Sequence, residues 1–307
     1  MVQSCVMSSS RAQTPLRPAE LDRFRAVQAL AYRCAEEVAA SLTPGVTERQ
    51  ASAHLGRLLR ENGADDWFHV PFAWFGDRTT LKGMRNPLRF FPSSRPLEEG
   101  MPYILDVAPI VGGFTADIGY SGCYGENAIF DKMMTDLAEY RDVVLQGVRA
   151  RKKLSGIYED VDRLAARHGY EPAHHVYPGK VLAHQVWHIE GLGPRTVVAG
   201  FGNRTLRRLG RTLAVGLSEG WSPLWNGGHR SDHAPVPGVW AIEPHLGFHG
   251  VGVKFEELLV VTDDDAYWLD DDLPHVRRWA QLHQDVAHRD VAHQGGAEQK
   301  VVANGGV

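Results

Sequence analysis

The chain has 307 residues, 33 Lys and Arg against 37 Asp and Glu, a net charge of −4 and 43% hydrophobic residues. This slightly acidic balance argues against a main role in binding nucleic acid or an anionic membrane, because both partners require an excess of basic residues. No apolar run approaches the roughly 20 residues that span a bilayer, and the N-terminus lacks the apolar core of a signal peptide. We therefore expect a cytoplasmic protein that acts on small molecules or short peptides.

Helical patterns and extended runs are mixed along the chain. Apolar residues at helical spacing predict four helices, which begin at Pro18, after Thr47, at 129 and at 157. Runs rich in Val, Ile, Phe and Tyr predict strands within 103–122, 181–189 and 239–262. The mixture predicts an α+β fold over residues 16–283. Polar or Gly-rich composition predicts a disordered lead at 1–15 and a disordered tail at 284–307.

The first chemical signal is a predicted hairpin with two carboxylates on one face. Gly112 and Gly113 separate two β-rich runs, which is a strong hairpin signal. With these two residues as the turn, Ala108 opposes Asp117, and Asp106 points to the same face as Ala108. Asp106 lies within an apolar strand, where an unpaired charge is costly, so a cation is the natural partner.

A second predicted hairpin repeats this arrangement. With a four-residue loop at 247–250, Glu243 opposes Lys254 and Ala241 opposes Glu256, so both glutamates share one face. The neighbouring Glu257 points the other way and is expected to be solvated. Four converging carboxylates cannot all stay ionised in a core without compensating charge.

Two histidines lie between the hairpins, in the extended run 181–191. On a strand, His184 and His188 would share one face because they are four residues apart. One imidazole beside four carboxylates makes an oxygen-rich site that suits Mn, Fe, Co or Zn. Five ligands exceed the need of one tetrahedral zinc, whereas two bridged divalent metal ions would use them all.

These motifs resemble the pita-bread metallopeptidases, the family of methionine aminopeptidase, aminopeptidase P, prolidase and creatinase. The resemblance covers roughly residues 16–272 and includes PGVTE at 44–48, LDVAPIVGGFTADIG, IEPHLG and GVGVKFEELLVVT. It implies a curved antiparallel sheet with flanking helices in two pseudo-symmetric halves. It also implies that Asp106, Asp117, Glu243, Glu256 and one histidine hold two divalent metal ions.

The resemblance leaves the choice of histidine open. His188 is followed by Gly191 as in the family's H-x-x-G ligand motif, and the family also carries a pocket histidine four residues earlier, at the position of His184. This favours His188 as the ligand and His184 as a catalytic residue that lines the pocket. Against it, the family's ligand follows a small residue, as His184 follows Ala183.

Two further histidines of the family peptidases are missing where the pattern places them. The window before the first ligand Asp holds no histidine between Arg85 and Arg89, and Arg195 occupies the later position. The three arginines could instead bind a carboxylate-bearing substrate through their planar donor forks. Trp221–His233 is a candidate pocket loop, with ordinary structural packing as the alternative.

The function expected from the resemblance is an aminopeptidase or Xaa-Pro peptidase that uses a metal-bridged hydroxide, with Glu243 as the proton shuttle. Manganese is among the expected metals, and a homodimer is a possible assembly. The missing histidines favour an alternative, a non-peptidase enzyme of the same scaffold acting on a small amidino, ammonium or sulfonium compound. A catalytically inactive binding protein of the same fold is the remaining alternative.

Overall fold

A computed structural model describes residues 16–84, 86–282 and 284. The predicted lead lies outside the described residues, as does the predicted tail apart from residue 284. Residues 274–282 are helical, and five longer helices precede them. These are α1 Pro18–Ser41, α2 Glu48–Glu61, α3 Ala128–Arg149, α4 Leu154–His168 and α5 Asn203–Glu219. None of the described helices has both the length and the apolar character needed to cross a membrane.

The strands are β1 Asp66–Phe75, β2 Pro102–Val111, β3 Phe114–Thr115, β4 Ile118–Cys123, β5 Glu171–Pro172, β6 Ala183–Val186, β7 Val197–Val198, β8 Phe201–Gly202, β9 Leu224–Trp225, β10 Gly238–Ile242, β11 His245–Phe248, β12 Val251–Lys254, β13 Glu257–Val261 and β14 Ala266–Trp268. Within the described residues they form three antiparallel sheets, of six, five and three strands. The first has the order β3-β2-β1-β8-β7 with β4 also paired to β2, the second β14-β13-β10-β6-β9, and the third β12-β11-β5.

Each of the two larger sheets is covered by one pair of helices. Val38 of α1 and Leu55 of α2 pack with Leu105 of β2 in one apolar cluster. Leu137 of α3 and Ile157 of α4 belong to another, together with buried side chains of β10 and β13. The helices present apolar stripes to the sheets, and burial of these stripes holds each helix pair in place.

Local sequence signals explain where the helices begin and end. The Thr47 hydroxyl accepts a hydrogen bond from the Gln50 amide (3.3 Å), and the Gln50 side chain accepts one from the Thr47 amide (2.9 Å). This capping box starts α2 where the sequence predicts it. At the other end of a helix, Gly169 adopts φ 75° and terminates α4 at the predicted glycine.

The first hairpin has the predicted register. Val111 pairs with Phe114 across the Gly112-Gly113 turn, whose φ values of 55° and 85° are those a two-residue hairpin turn requires. Further along, Asp106 pairs with Gly119 in the same register.

The second hairpin has a shorter turn than predicted. Phe248 pairs with Val251, and His245 pairs with Lys254, so the turn contains two residues rather than four. His249 and Gly250 both have positive φ, which permits this tight turn. The register therefore differs by two residues from the predicted pairing of Glu243 with Lys254. A shift by two keeps every side chain on its predicted face, so the predicted grouping of Glu243 with Glu256 survives the error.

Candidate active site

Four buried carboxylates come together where the two hairpins meet. Asp106 lies on β2, Asp117 directly before β4, Glu243 directly after β10 and Glu256 directly before β13. A bridge between Gly119 and Glu256 joins the hairpins at this point. All four residues are buried, and the Lys254 ammonium contacts three of the carboxylates. The structure thus brings together the four acidic residues that the sequence singled out.

His184 joins these carboxylates, whereas His188 does not. His184 lies on β6 opposite Ala241, and its Nε2 is 3.2 Å from Asp117 Oδ2. The Nε2 of His188 is instead 3.4 Å from Glu190, and its ring stacks on Phe114. The expected placement of His188 in the cluster fails because β6 ends at Val186, so strand alternation no longer relates the two histidines.

A third imidazole, His69, belongs to the cluster and was missed from the sequence. Its Nε2 lies 3.0 Å from Asp117 Oδ1 and 3.2 Å from Asp106 Oδ1. His69 lies on β1, beside irregular pairing with β2 that directs the ring toward the carboxylates. It precedes Asp106 by 37 residues because residues 76–101, with two short 3-10 helices, separate the two strands. The apolar run DWFHVPFAWF was the available signal for a buried strand carrying a histidine.

Lys254 is the chain's own cation at the centre. Its Nζ donates to Asp106 Oδ2 at 2.6 Å, Glu256 Oε2 at 2.9 Å and Glu243 Oε2 at 3.1 Å. Its stem runs over Gly119, where an added Cβ would lie 2.5 Å from Lys254 Cε. Glycine at this position therefore makes room for the lysine that partly neutralises the cluster.

A buried chain of hydrogen bonds runs from Lys254 through Tyr177 and His245 to the Thr79 carbonyl. Burial lowers the pKa of His245 well below its usual value, so the ring is neutral. Its Nε2 donates to the Thr79 carbonyl at 2.6 Å, which leaves Nδ1 to accept from the Tyr177 hydroxyl at 2.8 Å. The Tyr177 oxygen in turn accepts from Lys254 Nζ at 3.0 Å. This chain fixes the position of the lysine.

Burial and the closeness of several charges shift the pKa values of the groups in this cluster. Burial raises the pKa of Glu243 and, more strongly, that of Glu256, despite the opposing effect of Lys254. Burial also opposes ionisation of Asp117, but His69 and His184 outweigh it and hold the pKa of Asp117 below its usual range. Burial alone would lower the pKa of His69, whereas Asp117 and Asp106 raise it to about 9. Additional positive charge would stabilise this arrangement.

The donor set fits divalent cations. Two groups of three donor residues share Asp117, and within each group the donor atoms all lie within 4.8 Å of one another. One group contains His69 and Asp106 with Asp117, and the other His184 and Glu256 with Asp117. Carboxylate and imidazole donors are typical ligands of Mn, Fe, Co and Zn.

An apolar cleft of about 450 Å³ leads to the cluster. Its base holds the histidines and carboxylates, and its walls are formed mainly by Phe68, Phe72, Trp74, Phe90, Phe91, Tyr177, Val181, Phe201, Leu206 and Leu209. Among the described residues, no arginine or lysine lines this cleft. The interior is thus suited to a ligand with apolar groups.

The residues expected to shape the pocket from elsewhere are placed differently. Arg195 pairs with Asp65 at 2.8 Å, Arg89 is exposed, and Arg85 lies outside the described residues. From the candidate loop Trp221–His233, Leu224 lines the cleft. Trp225 is instead buried and donates to the Leu154 carbonyl, which is a packing role.

Glu257, expected to be solvated, is buried. Arg141 donates to its carboxylate at 2.8 and 3.2 Å, and His275 Nε2 lies 3.0 Å away. Helix α3 and the helical residues 274–282, rather than water, cover the face of β13 that points away from the four clustered carboxylates. The pairing explains how the strand accommodates a second adjacent glutamate.

Comparison with known families identifies the class of protein. The sequence model of metallopeptidase family M24 matches residues 22–263, so the chain belongs to this family. Its architecture is the pita-bread fold. No curated protein sequence matches the chain significantly.

Solved structures share the fold at low sequence identity. An X-Pro aminopeptidase from Thermotoga maritima is 16% identical with a TM-score of 0.62, over 85% of this chain and 63% of that one. A prolidase from Pyrococcus furiosus is 15% identical with a TM-score of 0.60, over 83% and 64%. A dipeptidase from Mycobacterium ulcerans is 18% identical with a TM-score of 0.61, over 84% and 59%. The chain therefore spans about three fifths of the length of these proteins.

Proposed function

We propose that the protein is an aminopeptidase of the Xaa-Pro type that uses two divalent metal ions. The observation that carries the proposal is the pair of donor groups sharing Asp117 at the base of a single apolar cleft. Asp106, Asp117 and Glu256 of these groups are proposed carboxylate ligands. Glu243 is the fourth, because it shares the Lys254 ammonium with Asp106 and Glu256. His184 is the proposed imidazole ligand in place of His188, because its Nε2 reaches Asp117.

Glu243, in addition to its role as a ligand, and His69 are proposed to handle protons and orientation. When bound, divalent cations acidify water and polarise the scissile carbonyl. The Glu243 carboxylate lies at the centre of the cluster, 3.1 Å from Lys254 Nζ, and is the proposed proton shuttle. His69 also faces the cleft and can donate a hydrogen bond to the departing amide. An imidazole is therefore present at the carboxylates, which removes the main objection to a peptidase.

The cleft favours a neutral, apolar substrate. Aromatic walls bury apolar side chains well, and a free carboxylate inside them would meet no described arginine or lysine. The names of the structural neighbours from Thermotoga and Pyrococcus point to Pro-containing substrates. We therefore propose peptides with an apolar first residue and Pro second, whose terminal carboxylate lies outside the cleft.

A matched pair of substrates tests this proposal. Phe-Pro-amide and Phe-Pro differ only in the terminal charge, and both are incubated with protein loaded with Mn²⁺ or Co²⁺. We expect the amide, and Phe-Pro-Ala, to be hydrolysed at least tenfold faster than the free dipeptide, and Glu243→Gln to abolish turnover. Faster cleavage of the free dipeptide would contradict the apolar-cleft argument, and no cleavage of any peptide by the loaded protein would contradict a peptidase.

One observation supports a second candidate function. The aromatic walls of the cleft, among them Trp74 and Tyr177, can bind a small ammonium or sulfonium cation through cation–π contacts. Turnover of such compounds in the absence of peptide cleavage would favour this non-peptidase alternative. Binding of two metal ions without turnover of either substrate class would favour a binding protein.

Manganese or cobalt is proposed as the working metal because the donor set is rich in oxygen. The possible homodimer and the cytoplasmic location stay predictions. Metal analysis of the purified protein tests the proposed metal, and its mass in solution tests the homodimer.

A further inference from the structure

A second cluster of side chains that can bind a metal ion lies away from the carboxylates at the bottom of the cleft. Asp162 comes from α4, whereas His174 and His175 come from the 3-10 turn Ala173–Val176. His175 Nε2 lies 3.0 Å from both Asp162 oxygens, and His174 Nε2 lies 3.4 Å from Asp162 Oδ1. These three donors form a group whose atoms all lie within 4.8 Å of one another.

His174 is the informative member of this cluster. The residue is completely buried, and its Nε2 has no hydrogen-bond partner although it points at Asp162. Its Nδ1 lies 3.3 Å from the His245 carbonyl and donates to it, so Nε2 is left with a free lone pair. A buried nitrogen in this state costs free energy unless it binds something. An imidazole that donates from Nδ1 binds metals through the lone pair on Nε2.

The geometry points to a separate transition-metal site formed by Asp162, His174 and His175, and we propose Zn²⁺ as the ion it takes. Ligands about 2.1 Å from a tetrahedral zinc are separated by about 3.4 Å. The observed donor separations of 3.0 and 3.4 Å are close to this value. Two imidazoles and one carboxylate leave a fourth position for water, a common zinc arrangement.

Neighbouring groups also hold the two histidine rings in position. The His174 Nδ1 contact with the His245 carbonyl orients its ring, as a backbone acceptor does for many metal-bound histidines. Tyr158 packs against both rings, stacked on His175 and edge-on to His174. His175 is partly exposed, which gives an ion a path from solvent.

An ion at this position would join α4 to the segment that carries Tyr177. The turn 173–176 directly precedes Tyr177, whose hydroxyl contacts Lys254 at 3.0 Å. A bound ion at this site would therefore hold one wall of the cleft in place, although none of its three ligands belongs to the cluster at the bottom of the cleft.

Metal stoichiometry tests the proposal. The full chain is stripped with a chelator, reloaded with Zn²⁺, desalted and assayed by elemental analysis. We expect His175→Ala to lose one molar equivalent relative to the wild type. The same loss is expected when His175→Ala is compared in an Asp117→Ala background, because that change affects only the cluster at the cleft base. Co²⁺ loading gives an independent readout, since the visible absorption of a four-coordinate site should decrease with His175→Ala.

His54→Ala is the matched control. This histidine lies on α2, with Nδ1 3.4 Å from Ser41 Oγ, and belongs to none of the three donor groups. We expect it to retain every equivalent. His175→Ala is the main variant because its side chain is 39% exposed and its loss threatens folding least. Equal zinc content and equal cobalt absorption in His175→Ala and the wild type would overturn the proposed site.

Discussion

Replacing Lys254 with Met tests whether the lysine is the internal cation of the cluster. Met has a similar length and no charge, so the change removes the ammonium while keeping the stem over Gly119. Lys254 Nζ contacts three buried carboxylates at 2.6–3.1 Å. Removing one partner of a buried ion pair lowers the free energy of unfolding by about 3–5 kcal/mol. Here the carboxyls left without Lys254 can bind protons, which recovers part of this loss.

We therefore expect a loss of about 3 kcal/mol in the metal-free protein. At roughly 2–4 °C per kcal/mol for a domain of this size, the Tm should decrease by roughly 6–12 °C. Divalent cations supply the missing positive charge, so loading with Mn²⁺ should reduce this difference to less than half. Thermal unfolding followed by circular dichroism, with and without metal at neutral pH, measures both quantities.

Lys82→Met is the matched control. Lys82 Nζ lies 3.0 Å from Glu171 Oε1, but both side chains are largely exposed, and such surface pairs contribute at most about 1 kcal/mol. We expect only a small change in Tm that metal does not alter. If Lys254→Met costs no more than Lys82→Met in the metal-free protein, or if metal leaves the difference unchanged, the reasoning about Lys254 is refuted.

Two further predictions concern the histidines. His184→Ala should lose at least one equivalent of metal while His188→Ala keeps the wild-type content, because His184 contacts Asp117 at 3.2 Å; the reverse result in elemental analysis would make His188 the ligand. The pKa of His69 is raised from 6.5 to about 9 in the folded metal-free protein, so its stabilising effect is complete below pH 6.5 and lost as the pH rises through 9. This loss corresponds to roughly 3 kcal/mol, and urea unfolding should show it in the metal-free wild type but not in His69→Gln; an equal pH dependence in both would assign the effect to other groups.

The sequence by itself was sufficient to single out the four clustered carboxylates and to determine the strand faces on which they lie. The Gly112-Gly113 turn fixed the register of the first hairpin, because few residues other than glycine adopt such a turn. In the second hairpin the turn length was mispredicted, yet Glu243 and Glu256 still shared a face because the error was an even number of residues. Strand alternation is a local property, so the sequence is sufficient to read it.

Only the tertiary structure decided which imidazoles and which cation complete the site. His184 and His188 look equivalent until β6 ends between them, and a strand boundary depends on the neighbouring strands. His69 reaches the carboxylates through the pairing of β1 with β2, whose separation along the chain conceals their contact. Lys254 acts as a counter-ion because packing buries it among three carboxylates. Such contacts depend on distance in space, which residue spacing along a chain does not fix.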